Sequence, residues 1–159
     1  MQNHLLAILD NIEILVYVAD INTYEVLYAN KYTRRLFGDI KGKICWQSIQ
    51  KGQDGPCSFC TNDKIVNADG TPTGVYQWEF QNTVTGKWFD IRDTAIDWES
   101  GRIVRLEVAL DITKRKKAEQ ELTASQEQLK KVNNIFVGRE LKMIELKKEI
   151  EELKKSQKA

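Results

Sequence analysis

Proline is scarce in this 159-residue chain, at two residues, and histidine occurs once, as His4. With so little imidazole, and no nucleophile or acid–base constellation elsewhere, the sequence does not read as an enzyme. Cysteine is limited to three residues. An odd count without an export signal points to reduced thiols in a cytosol. Long apolar runs are missing: none much exceeds Ile14–Ala19, far short of the roughly 20 residues of a membrane span. The N-terminal MQNHLLAILDN lacks the basic flank and long apolar stretch of a signal peptide. Charge of one sign is also lacking. The net charge of +1 gives no reason to expect a nucleic-acid or membrane partner. The expectation is a cytosolic protein.

What is present divides unevenly. Residues 114–159 carry 13 Lys/Arg against 8 Asp/Glu, whereas residues 1–113 carry 11 against 15. The first part also holds 13 of the 14 aromatics, both prolines and every cysteine. The division expected is therefore an N-terminal amphipathic helix (1–12), an aromatic-rich domain (13–113) and a charged helical tail (114–159).

Leu5, Ile8, Leu9 and Ile12 recur at i, i+3, i+4, i+7, which predicts a short amphipathic helix. Ile14–Ala19 and Tyr24–Ala29 read as strands joined by the turn residues Asp20-Ile21-Asn22. Asn30 can cap a helix over Lys31–Phe37, which Gly38 closes. Residues 39–73 are irregular, with short helices and loops expected. Val75–Gln81 alternates, with Tyr76, Trp78 and Phe80 on one face. Trp88–Trp98 and Arg102–Thr113 follow as strands, the last with an apolar face of Val104, Leu106, Val108, Leu110 and Ile112. The fold class predicted is α+β, one five-stranded antiparallel sheet with short helices on one face, followed by a long helix.

From Lys114 the period changes to a heptad. Ala118, Ser125, Val132, Arg139, Leu146 and Leu153 occupy position a; Leu122, Leu129, Phe136, Met143, Ile150 and Gln157 occupy position d. A seam so narrow suits a parallel dimeric coiled coil better than a helix folded back on its own domain. Val132–Gly138, with Asn133, Asn134 and Gly138, is the expected soft spot. Lys114-Arg115-Lys116-Lys117 reads as a solvated helix start, because Glu119 and Glu121 follow at once.

The strings ILVYVADINTYEVLYAN and WFDIRDTAIDWESGRIVRLEVALDIT, with Asp111-Ile112-Thr113 at the exit, resemble a PAS domain of bacterial or archaeal signalling proteins. FVGRELKMIELKKEIEEL resembles the helical linkers that join such sensors to histidine kinases or other output modules. The resemblance spans residues 5–155. It implies a sensory PAS domain of the two-component type that holds a ligand or cofactor between sheet and helices. The change would pass through the terminal helix of a homodimer to an output partner. No nucleotide-binding or phosphoacceptor helix follows in this chain.

The cysteines Cys45, Cys57 and Cys60 stand at C-x11-C-x2-C spacing. Three readings remain open: structural thiols, a Cys57/Cys60 redox pair, or a metal or iron–sulfur site with an incomplete ligand set. Haem is not expected, because His4 precedes the first strand and Thr61, not His, follows Cys60. A flavin of the light-oxygen-voltage type is not expected either. Gly42 and Cys45 match that family's cysteine motif, but its Asn and phosphate-binding Arg are absent. For a small-molecule pocket, Trp78, Phe80, Phe89 and Leu106 are candidate walls and Arg92 a candidate fork for a carboxylate. The competing reading makes the aromatics core and Arg92 a surface residue.

Overall fold

A computed structural model describes residues 2–156, with side chains for 4–99 and 101–154. The chain divides into two units, residues 1–114 and residues 115–159.

In the first unit, helix α1 (Gln2–Asn11) is followed by strands β1 (Leu15–Asp20) and β2 (Val26–Ala29). Helices α2 (Lys31–Phe37), α3 (Cys45–Ser48) and α4 (Asn62–Ile65) form the middle. Strands β3 (Val75–Gln81), β4 (Trp88–Asp97) and β5 (Ile103–Asp111) complete the sheet. Its order is β2-β1-β5-β4-β3, with every neighbouring pair antiparallel. The α+β architecture read from hydrophobic periodicity is the one observed.

The order makes β5 the central strand. Residues one apart point to opposite faces, and apolar side chains stand on both. Tyr17, Ala19, Phe89, Ile91 and Ala109 meet Cys45, Ile49 and the α2 residues Tyr32, Leu36 and Phe37 in the main core. On the other face, Val16, Val18, Ile96 and Leu106 border a groove that the α1 residues Leu5, Leu6 and Leu9 also line.

Asn30 ties α1, β1 and α2 together. It is fully buried, and its Oδ1 accepts from the backbone N–H of Thr33 at 3.0 Å, the N-cap bond expected of it. Its Nδ2 donates to the carbonyls of Leu9 and Ile14 at 2.8 and 2.9 Å. Gly38 closes α2 at φ +77°, where a Cβ would be strained. The second strand is shorter than its sequence suggests. Tyr24 sits at φ +62°, a left-handed conformation unusual for a bulky residue, so regular pairing starts only at Val26.

The second unit is helical. Helix α5 runs unbroken over Thr113–Ser156, through Val132–Gly138, where a weakness was expected. Its 44 residues measure roughly 66 Å at 1.5 Å each. Leu122, Leu129, Val132, Phe136, Met143, Leu146, Ile150 and Leu153 are all exposed on the single chain. Gln157 lies outside the described residues. Arg115 pairs with Glu119 at 2.9 Å, as a solvated helix start should.

Candidate ligand cleft

A cleft opens on the helical face of the sheet. Tyr17, Trp78, Ile91, Arg105 and Glu107 rise into it from the strands. Cys45, Trp46 and Ile49 come from α3 and its end, and Cys57, Phe59, Cys60 and Thr61 from the loop before α4. Tyr24, whose backbone is in the left-handed region, supplies another ring. The free space is about 40 Å³, room for a few water-sized groups.

The polar wall is a buried charge cluster. Asp93 on β4 and Glu107 on β5 are direct cross-strand partners, an arrangement in which like charges repel. Arg105, two residues before Glu107 and on the same face, lies between them electrostatically. Its Nε is 3.8 Å from Asp93 Oδ1 and its Nη2 is 3.9 Å from Glu107 Oε2. Nη2 donates to the Tyr17 hydroxyl at 2.8 Å, which in turn donates to Glu107 Oε2 at 2.5 Å. Nη1 donates to Asn62 Oδ1 at 3.1 Å. The sulfurs of Cys60 and Cys45 accept from the two Nη groups at 3.7 and 3.8 Å. Asp93 Oδ2 accepts from Thr61 Oγ1 and Trp78 Nε1, each at 2.8 Å. Among the described residues Asp93 Oδ1 and Arg105 Nε have no hydrogen-bond partner.

Burial, and then the facing Asp93, pushes Glu107 up to about 8 against the pull of Arg105. Glu107 thus keeps its proton at neutral pH. Burial disfavours the Arg105 charge, but Tyr17, Glu107, Cys45 and Asp93 around it keep its pKa well above the ordinary value. Burial drives the Cys57 thiol up to about 11 and raises that of Cys45. Those two sulfurs are thiols rather than thiolates at neutral pH, which works against nucleophilic reactivity.

The structure sorts the five candidate pocket residues differently from the sequence. Trp78 lines the cleft, and Phe80 backs it by stacking on Phe59 at 4.4 Å between ring centroids. Phe89 is core, 2% exposed, and is not among the lining residues. Arg92 and Leu106 lie on the opposite face of the sheet. Arg92 pairs with Val108 in the β4–β5 register and is exposed, while Leu106 borders the α1 groove. Period-2 alternation puts both one residue out of phase with the cleft-facing Asp93, Arg105 and Glu107. The buried arginine of the cleft is Arg105, not Arg92.

Sequence reasoning missed Tyr17, Trp46, Asp93, Arg105 and Glu107. The available signal was Arg105 and Glu107 alternating with Val104, Leu106 and Val108 in a strand with neighbours on both sides. The three cysteines, by contrast, do converge: Cys45, Cys57 and Cys60 all line the cleft, and all are free. Among the described residues no group of three or more His, Cys, Asp or Glu is arranged to hold a metal ion.

No family model matches the sequence, and no curated protein matches it. Solved structures do. The chain is similar to an RNA-binding light-oxygen-voltage receptor, at 19% identity and a TM-score of 0.58, covering 79% of this chain and 37% of that one. It is also similar to the PAS domain of a Colwellia psychrerythraea protein, at 17% identity and 0.52, covering 71% and 98%. The PAS domain of nitrogen regulation protein NR(II) from Vibrio parahaemolyticus matches at 18% and 0.51, covering 67% and 96%. The chain has the PAS fold.

In this fold the exit is built by short-range bonds. Asp111 Oδ1 accepts from the Thr113 N–H at 3.0 Å, and Asp111 Oδ2 accepts from Lys87 Nζ at 2.7 Å. The Ile112 N–H donates to the Trp88 carbonyl at 2.8 Å, and the Trp88 N–H donates to Thr113 Oγ1 at 3.0 Å. Burial works to raise the Asp111 pKa, but the bonds from Lys87 and Thr113 outweigh it and hold the carboxyl below its usual range. The Asp111-Ile112-Thr113 step thus pins the start of α5 to the β4 end of the sheet. Among the described residues no helix is long and apolar enough to cross a membrane.

Proposed function

We propose that this PAS domain is a cytosolic sensory module. It takes a small molecule in the cleft and passes the change through α5 of a homodimer to an output partner such as a histidine kinase. One observation carries the reading. Arg105 and Glu107, which wall the cleft, sit on β5, the strand that continues through Asp111-Ile112-Thr113 into α5. A ligand that shifts either side chain acts on the strand that leads into the helix, a small displacement at a bistable element. The division of labour is a capping helix over 1–12, the sensor over 13–113 and a signalling helix over 114–159.

The dimer is supported by the exposed row Leu122, Leu129, Val132, Phe136, Met143, Leu146, Ile150 and Leu153, whose two-in-seven spacing suits a coiled coil. Arg139 breaks that row at position a. Sedimentation of the full chain tests it: a dimer is expected, tightened by Arg139→Leu. A monomer that Arg139→Leu leaves unchanged refutes the register. A thermal-shift screen of small metabolites tests the sensor. Stabilisation of the wild-type domain is expected, and a tight dimer that no compound stabilises would leave a purely structural dimerisation module.

A second reading makes the cysteines the sensor, and their convergence on one cleft favours it. The Cys60 N–H donates to the Cys57 carbonyl at 2.9 Å, so one turn holds the pair. Titration of free thiols before and after oxidant treatment tests this version, and metal analysis of the purified protein tests its metal variant.

A further inference from the structure

The cleft's charge balance and its walls indicate what kind of molecule it takes, an inference that rests on the ligand-sensing reading above. Two acids, Asp93 and Glu107, are buried with a single base, Arg105, at 0%, 8% and 6% exposure. The Arg105 fork is already filled. Nη1 is committed to Asn62 and Cys60, Nη2 to Tyr17 and Cys45, and Nε faces Asp93. No forked pair of N–H groups is left for an anion, which is how arginine would bind one. The wall thus holds one acid more than it has bases, and Glu107 offsets the excess by keeping its proton at neutral pH.

The remaining walls suit positive charge as well. Tyr24, Trp46, Phe59 and Trp78 line the same cleft. Aromatic faces carry negative electrostatic potential and attract ammonium groups, most strongly where water is excluded. We propose that the cleft binds a small organic cation, an alkylammonium ion held against Glu107 within the rings of Tyr24, Trp46, Phe59 and Trp78. The free space of about 40 Å³ limits the ion to about three or four heavy atoms.

The titratable and charged groups around Glu107 are Tyr17 on β1, Asp93 on β4, Arg105 beside it on β5, and the thiols of Cys45 on α3 and of Cys57 and Cys60 before α4. Burial and Asp93 hold Glu107 near 8, so at neutral pH the Glu107 carboxyl carries a proton. A bound ammonium ion supplies that charge instead and releases the proton.

The test uses the full chain and the quenching of Trp46 and Trp78 fluorescence. Trimethylammonium chloride is titrated against potassium chloride at equal ionic strength, tert-butanol and sodium acetate. Saturable binding of trimethylammonium alone is expected. Glu107→Gln, isosteric with the native side chain, is expected to weaken it about tenfold or more. Trp46→Leu is expected to weaken it relative to tert-butanol and serves if Glu107→Gln fails to fold. Equal binding of potassium, or of tert-butanol, overturns the organic-cation assignment. Acetate binding in place of the cation overturns the charge assignment, yet leaves a ligand-sensing cleft standing. Binding by none of the four probes overturns the proposal, while the sensor reading is then decided separately by the metabolite screen.

Discussion

Asp93 and Glu107 face each other directly across the β4–β5 ladder, two carboxyls in the buried face of a sheet. The pair survives because Arg105 lies within 4 Å of both and because Glu107 keeps its proton near neutral pH. Between its ordinary 4.5 and about 8, the folded protein holds a proton that the unfolded chain releases. Stability therefore falls as pH rises through that window, with the Glu107 contribution intact below it and fully lost above about 8. Glu107→Gln removes the titrating group while leaving an acceptor for Tyr17. Thermal melts followed by circular dichroism should show a higher Tm than wild type at pH 8 and little difference near pH 4.5.

Arg105 is the only cation within ion-pair distance of Asp93 and Glu107 among the described residues. Removing one member of a buried ionic cluster leaves uncompensated charge, at about 3–5 kcal/mol. Arg105→Met should lose that much in urea denaturation at pH 7. Adding Asp93→Asn to it should recover part of the loss, because the acid that faces Arg105 Nε is then gone.

Asn30 makes polar contacts to α1, β1 and α2 from a fully buried position. Asn30→Ala deletes a helix cap and orphans the Leu9 and Ile14 carbonyls. The expected loss is about 2–4 kcal/mol, read as a drop in the urea midpoint without a change in slope.

Gly138 lies inside continuous α5 with no atom near enough to hinder a Cβ. Gly138→Ala should stabilise the helix by about 1 kcal/mol. The helical signal at 222 nm should melt later in the variant, with the sheet unit unaffected.

Much of this protein was legible in its residues because the determinants are local. Asn30 and Gly38 bracket α2 through their own backbone chemistry. The alternation of Val75–Gln81 marks a strand with two unlike faces, and the heptad after Lys114 marks a long helix. The convergence of the cysteines was partly legible too, since Cys57 and Cys60 share one turn. What only the tertiary structure decided is which side of the central strand faces the cleft. In a central strand, alternation separates two sets of residues without saying which set meets the helices. The apolar set Val104, Leu106 and Val108 turned to the α1 side, and Arg105 and Glu107 turned inward, where Asp93 and Tyr17 from other strands satisfy them. A buried charge is tolerable only with partners brought from distant segments, so its place depends on the assembled sheet rather than on its neighbours in sequence.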